Sequence, residues 1–225
     1  MTKPIAVIVG VGDGLSASLA RKLAGRGYDL TLAARDTGKL SQLAADAGAK
    51  TVVCDAAIEH DVDALFAGLP GVPDVVIYNA SARVRGPFVE LDRASVKKSI
   101  EVTAFGAFLV AQAAARVMLP QKRGTILLTG ATAGVKGFAL SAPFAMGKFA
   151  LRGLAQSMAR ELHPQGIHVA HIVIDGGIKS DRYTETGPDS LLDPDAIADS
   201  YLHLIDQPRS AWSSEIEVRP WVERF

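Results

Sequence analysis

Short β-branched runs alternate with longer helical stretches from one end of this chain to the other. "IAVIVG" is followed by "LSASLARKLAGRG", "DLTLAAR" by "GKLSQLAADAG", and "KTVVCD" by "EHDVDALFAGL". Then come "DVVIYNA", the long "ASVKKSIEVTAFGAFLVAQAAARVML", "GTILLTG", "FAMGKFALRGLAQSMARELHPQG" and "IHVAHIVID". A polar segment, "PDAIADSYLHLI" and a last strand near "SEIEVRP" complete the pattern. Such alternation specifies right-handed βαβ units and a doubly wound parallel sheet flanked by helices. The early strands are apolar at successive positions, as strands covered on both faces should be. No Pro/Gly/Ser linker and no repeat divides the sequence, so residues 1–225 are expected to form a single domain.

Composition narrows the partners. Apolar residues make up 48% of the chain, enough for a sizeable core, and the formal net charge is zero. Without a long basic run, neither nucleic acid nor an anionic membrane is expected as a partner. Cys54 is the only cysteine, so a reducing, cytoplasmic setting is the expectation. A strand begins by residue 5, so no signal peptide is expected. "TAFGAFLVAQAAARVML" is interrupted by Gln112 and Arg116 and reads as a buried amphipathic helix. His168 and His171 fall on opposite faces of their strand, and the other three histidines stand singly, so no metal site is expected.

In a doubly wound sheet the ligand sits at the carboxyl ends of the strands. Those positions here are Gly10 to Ser16, Arg35, Asp55, Asn79, the segment after Leu128, and Asp175 to Ser180. "VGVGDGLSASLA" follows the first strand and opens a helix. Gly10, Gly12 and Gly14 let the backbone turn tightly and approach a pyrophosphate, which the helix N-terminus favours. A GxGxxG spacing fails at Leu15, whereas GxxxGxG fails only at Ser16. No acid stands at Ala34 to bind a ribose, and Arg35 can stack on adenine or pair with a 2′-phosphate. Arg35 therefore favours NADP(H) over NAD(H), while Asp13 near the phosphates pulls the other way.

Together these features resemble the short-chain dehydrogenase/reductase family, over nearly the whole chain, and imply its Rossmann-like fold. Gly10 and Gly14 match the family's TGxxxGxG loop, with Val9 and Ser16 as departures. Asp55 matches its adenine-contacting acid, and "YNAS" resembles NNAG, keeping Asn79 and Ala80. "IDGGIKS", which contains Gly176, resembles PGxxxT. There the resemblance implies a nicotinamide contact from the main chain of Ile178 and the hydroxyl of Ser180. The family's Asn, Ser, Tyr and Lys tetrad maps onto Thr103, Ala131, Phe144 and Lys148, so only the lysine is kept. Subgroups with an incomplete glycine motif and no active-site tyrosine exist in this family, and the sequence fits that description.

The substitutions have a shared direction. Residues 144 and 148 lie on one helix face, but phenylalanine has no proton to exchange. Loss of a positioned general acid costs a factor of about 10² to 10⁴ in rate. Loss of a hydroxyl at 131 removes a donor to a developing oxyanion, another factor of about 10². Among other proton sources, Tyr183 in the loop expected to cover the substrate is the better candidate. Tyr28 and Tyr201 are expected far from the cleft, and Tyr78 lies at a strand end. Thr132 is expected to point away by strand alternation, and Ser141 reaches the cleft if its helix begins late. Lys148 reads as a residue that holds the cofactor ribose. Arg83 and Arg85 read as solvated loop charges, with an anionic substrate as the alternative.

Two functions follow. One is an atypical NAD(P)(H)-dependent oxidoreductase acting on a small molecule whose proton comes by another route. The other is a dinucleotide-binding protein without turnover, a sensor or partner subunit. The segment 181–193 is the expected substrate loop. The resemblance implies a homodimer or homotetramer built on the two long helices.

Overall fold

The computed structural model describes residues 2–180 and 183–223. Asp181 and Arg182, the first two residues of the expected substrate loop, lie outside the described residues. Seven parallel strands form one sheet: β1 (Ile5–Val9), β2 (Asp29–Ala34), β3 (Lys50–Val53), β4 (Val75–Tyr78), β5 (Thr125–Thr129), β6 (His168–Ile174) and β7 (Glu215–Val218). Their spatial order is β3-β2-β1-β4-β5-β6-β7, so the direction of winding reverses between β1 and β4. That switch point opens a crevice at the strands' carboxyl ends.

Alternation along each strand builds two cores. Val7 and Val9 of β1 pack on one face with Val110, Ala114, Leu151 and Ala155. Ala6 and Ile8 pack on the other with Leu19, Leu23, Ile197 and Tyr201. The first face carries helices α3 (Glu59–Ala67), α5 (Gly106–Met118) and α6 (Ala142–Leu162). The second carries α1 (Leu15–Gly25) and α7 (Pro194–Asp206), with α2 (Ser41–Ala47) alongside α1. The expectation that the early strands are covered on both faces holds for β1 and β2 but not for β3. β3 is an edge strand, and its Val53 is 65% exposed.

Two local features position the site. The long helical run Arg93–Gln121 is not a regular α-helix: a π-helical turn, Glu101–Phe105, separates α4 (Arg93–Ile100) from α5. Such insertions mark places where a side chain diverts the helical ladder. Here the Thr103 hydroxyl accepts the Ala82 amide at 3.2 Å, and a Cβ at Gly106 would lie 2.7 Å from the Tyr78 hydroxyl. This run is the one described helix long and apolar enough to cross a membrane, and 61% of its apolar window is buried within the fold. The start of α6 is the second feature. Pro143 sits in its first turn, where no amide hydrogen is needed, and Ser141 stands just ahead of the helix.

Candidate functional site

The glycine loop leaves β1 in a conformation that only glycine accepts comfortably. Gly10 has φ +88°, and a Cβ there would fall 2.3 Å from the Ala80 backbone nitrogen. Gly10 is thereby clamped between the β1 and β4 ends. Cβ atoms at Gly12 and Gly14 would meet nothing within 4 Å, so this side of the loop is open to a ligand. Leu15 is buried, and only its main-chain amide, at the unpaired start of α1, is available to one. Asp13 is exposed beside it.

Ser16, the departure from the glycine pattern, ties the loop together. Its hydroxyl donates to the Gly10 carbonyl at 3.2 Å and accepts from Asn79 Nδ2 at 2.6 Å. The Asn79 amide nitrogen donates to the Val9 carbonyl at 2.8 Å, which fixes both strand ends at the switch point. The sequence marked both residues but not this bond, which no spacing rule encodes.

Arg35 is exposed at the end of β2. Asp36 beside it is committed to the turn, accepting the Gly38 amide and pairing with Lys39 at 3.4 Å. Asp55 accepts the Ala57 amide and pairs with Lys98 at 3.4 Å. Burial works to raise the Asp55 pKa, but the Ala57 amide, Lys98 and Arg35 outweigh it and hold the carboxyl below its usual value. On the far side, Gly176 has φ +147° and packs against Pro220. The Lys179 amide and the Gly177 carbonyl bond Leu192 at 2.8 Å each, which holds the strand-end segment containing Ile178 and Ser180.

A cleft of about 210 Å³ lies beyond β5 and β6. Ala131, Thr132, Ser141 and Phe144 line it, together with Arg83, Arg85 and Phe138. Ala131 and Phe144, two of the positions expected to correspond to the tetrad, therefore do meet in one cavity. Thr103 does not line it. It is buried against Gly147, its hydroxyl already taken by Ala82. Ser141 lines the cleft because α6 begins at Ala142, as the late-start alternative requires. Thr132 also lines it, contrary to the expectation from strand alternation. β5 ends at Thr129, a tight turn over Thr132–Gly134 follows, and the Thr132 hydroxyl donates to the Ile174 carbonyl at 3.4 Å.

Lys148 is 3% exposed, and its ammonium donates to the Thr129 carbonyl at 2.6 Å. Among the described residues no carboxylate pairs with it. Burial first, and then the charge of Arg83, push its pKa down to about 7. A buried amine without a counter-charge has capacity for neutral hydroxyl partners. Behind it, Arg152 makes a bidentate pair with Glu215, at 2.7 and 2.6 Å, and Glu215 reaches His171 Nδ1 at 3.0 Å. Burial lowers the His171 pKa despite that carboxylate. His168 is on the opposite side of β6, bonded to the Ser213 carbonyl and stacked on Trp212. Among the described residues no group of three or more His, Cys, Asp or Glu is gathered to hold a metal ion.

Of the tyrosines, Tyr183 comes to the rim, where its hydroxyl accepts from Arg83 Nη1 at 3.3 Å. Tyr78 is buried, donates to the Val102 carbonyl, and has its pKa raised by burial. Tyr28 is at the other end of the sheet, ahead of β2. Tyr201 is nearer than expected: its hydroxyl lies 2.7 Å from that of Thr129, whose carbonyl takes Lys148. It belongs to the opposite core, however, and does not line the cleft. Arg83 and Arg85 are exposed but are not merely solvated. Both line the cleft, and the Arg83 guanidinium lies over the Phe144 ring at 4.4 Å from its centroid. Two arginines beside a strand-end motif were the available signal.

A family model described as short chain dehydrogenase matches residues 4–190. The chain belongs to the short-chain dehydrogenase family. It is 30% identical to an uncharacterized oxidoreductase of Staphylococcus aureus, covering 98% of each protein. A crystal structure of a short-chain dehydrogenase from Rhodopseudomonas palustris is 35% identical, with a TM-score of 0.85 over 98% of this chain and 100% of that one. A metagenomic short-chain oxidoreductase in complex with NADP is 29% identical, also with a TM-score of 0.85, over 97% and 98% of the two chains. The family is one of oxidoreductases that bind nicotinamide dinucleotides.

Proposed function

We propose that this short-chain dehydrogenase binds NADP(H) and reduces a small molecule whose proton does not come from a tyrosine at position 144. The observation that carries the reading is Lys148: buried, donating to the Thr129 carbonyl, without a carboxylate partner among the described residues, and one helical turn from Phe144, which lines the cleft. Gly10, Gly12, Gly14, the Leu15 amide and Ser16–Asn79 hold the pyrophosphate end. Asp55 and Arg35 face the adenosine end, and Ala80, Lys148 and the Gly176–Ser180 segment hold the nicotinamide ribose. Asp13 is exposed, and Ala34 puts no acid at the end of β2, where Arg35 is exposed to a 2′-phosphate. The NADP complex of the metagenomic relative supports the same preference.

When bound, the reduced dinucleotide supplies a hydride. The chain's own groups then orient the acceptor. Ser141 is placed to donate to an acceptor oxygen, and Tyr183, held by Arg83, closes the rim as part of the 181–193 substrate loop. Its hydroxyl, or water admitted beside it, is the proton source. The exposed Phe105, Phe108, Met146 and Phe149 on and beside α5 and α6 support assembly of a homodimer or homotetramer, in the cytoplasm. Nucleic acid, membrane and metal form no part of the proposal.

The absence of any hydroxyl at both 131 and 144 favours a second reading, a dinucleotide-binding protein without turnover. NADPH carrying deuterium at the transferable position, incubated with a panel of ketones, imines and enones, separates the two. Deuterium in any product establishes the oxidoreductase. Tight dinucleotide binding with no transfer across the panel establishes the second reading.

A further inference from the structure

The substrate end of the cleft is cationic. Arg83 and Arg85 project from the loop after β4 and line the cleft with Ala131, Ser141 and Phe144. Among the described residues no Asp or Glu lines it. Neither arginine makes an ion pair with a carboxylate among the described residues; the only hydrogen bond Arg83 makes there is to the neutral Tyr183 hydroxyl. The nearest buried acid, Asp175, is already paired with Arg219 at 3.4 Å. Arg83 is also held in place. Its guanidinium carbon lies over the Phe144 ring at 4.4 Å from the centroid, a cation–π contact that leaves N–H donors for another partner.

We infer that the cleft takes a small organic carboxylate, which Arg83 and Arg85 recognise through charge-assisted hydrogen bonds. The inference rests on the oxidoreductase reading for what becomes of that molecule, but not for its binding. A planar guanidinium matches a carboxylate in bidentate fashion, and an otherwise unpaired cation pair gives the ligand charge nothing to displace. Phe138 and Ile174 supply an apolar wall for the rest of the molecule. At about 210 Å³ the cavity is smaller than the roughly 300–1,000 Å³ of most ligand sites, so the ligand is compact. Phe144 acquires a role of its own in this account: it is the platform that aims Arg83.

The test uses phenylglyoxylate and its methyl ester, which share size and carbonyl and differ in charge. Each is titrated calorimetrically into the full chain, alone and saturated with NADPH, at low ionic strength. The acid is expected to bind at least about tenfold more tightly than the ester, and Arg83→Met and Arg85→Met each to weaken it about tenfold. The ester's affinity should move little. Both arginines are exposed, so these variants carry little folding risk, and their circular dichroism should match the wild type. Equal affinity for acid and ester, no heat from the acid, or an acid affinity unmoved by both substitutions overturns the inference. Failure of NADPH to bind, with the acid still preferred in the cofactor-free protein, overturns the oxidoreductase reading and leaves the carboxylate site standing.

Discussion

The ammonium of Lys148 lies 5.7 Å from the centroid of the Phe144 ring, one helical turn away on the same face of α6. A phenol there would sit within reach of a charge able to stabilise its anion, whereas the ring offers only a weak cation–π contact. Position 144 thus offers a ring where the proposed function needs no acid, beside a lysine that could support one.

Restoring the acid alone should therefore do little. Phe144→Tyr is expected to raise ketone reduction less than about tenfold, because Ala131 still provides no hydroxyl to the oxyanion and Arg83 loses part of its platform. Phe144→Tyr with Ala131→Ser is expected to gain a factor of about 10² or more over the single variant. Steady-state kcat/KM on a simple ketone reads both, and a large gain from Phe144→Tyr alone contradicts the account.

The buried lysine predicts an unusual pH dependence of stability. Its folded pKa of about 7 lies below the unfolded value of 10.5, so between those values the unfolded chain binds more protons and stability rises with pH. The slope approaches about 1.4 kcal/mol per pH unit. Urea unfolding from about pH 7 to 8.5, below the range where the buried Cys54 thiol titrates, should show wild type gaining on Lys148→Met as pH rises. Parallel curves for the two proteins would mean that Lys148 is charged and solvated.

Ser16 should behave as a structural tie. Ser16→Ala removes the acceptor of the 2.6 Å bond from Asn79 inside a buried junction. A cost of about 1–2 kcal/mol is expected, with weaker dinucleotide binding as the Asn79 end of β4 loosens. Denaturant midpoints and calorimetry on the same variant check both effects.

Much of this was legible in the sequence because periodicity and strand-end position carry the information. All seven strands and the strand-end motifs follow from where apolar runs stop and glycines begin. Short-range rules failed where the tertiary structure decides. Strand alternation points Thr132 away from the cleft, but β5 ends at Thr129 and a tight turn follows, with the Thr132 hydroxyl donating to the Ile174 carbonyl across the crevice. Arg83 looked like a solvated loop charge, since nothing local reveals that Phe144, sixty-one residues later, offers it a platform. The π-helical turn before Gly106 was likewise hidden, since nothing local reveals that Tyr78 and Ala56 of other elements crowd Gly106.

Gly10→Ala is expected to be among the most damaging single changes outside the core. Both its φ of +88° and the 2.3 Å overlap with Ala80 oppose a side chain, for a combined cost of at least about 2 kcal/mol. Thermal unfolding would show it, and an unchanged midpoint would mean that the β1–β4 junction is looser than described.

The most direct measurement is calorimetric titration of NADPH and NADH into wild type and Lys148→Ala. NADPH is expected to bind in preference to NADH, with a loss of affinity on removing Lys148 of about tenfold or more. Absence of binding by either dinucleotide, or affinity indifferent to Lys148, would contradict the proposed function.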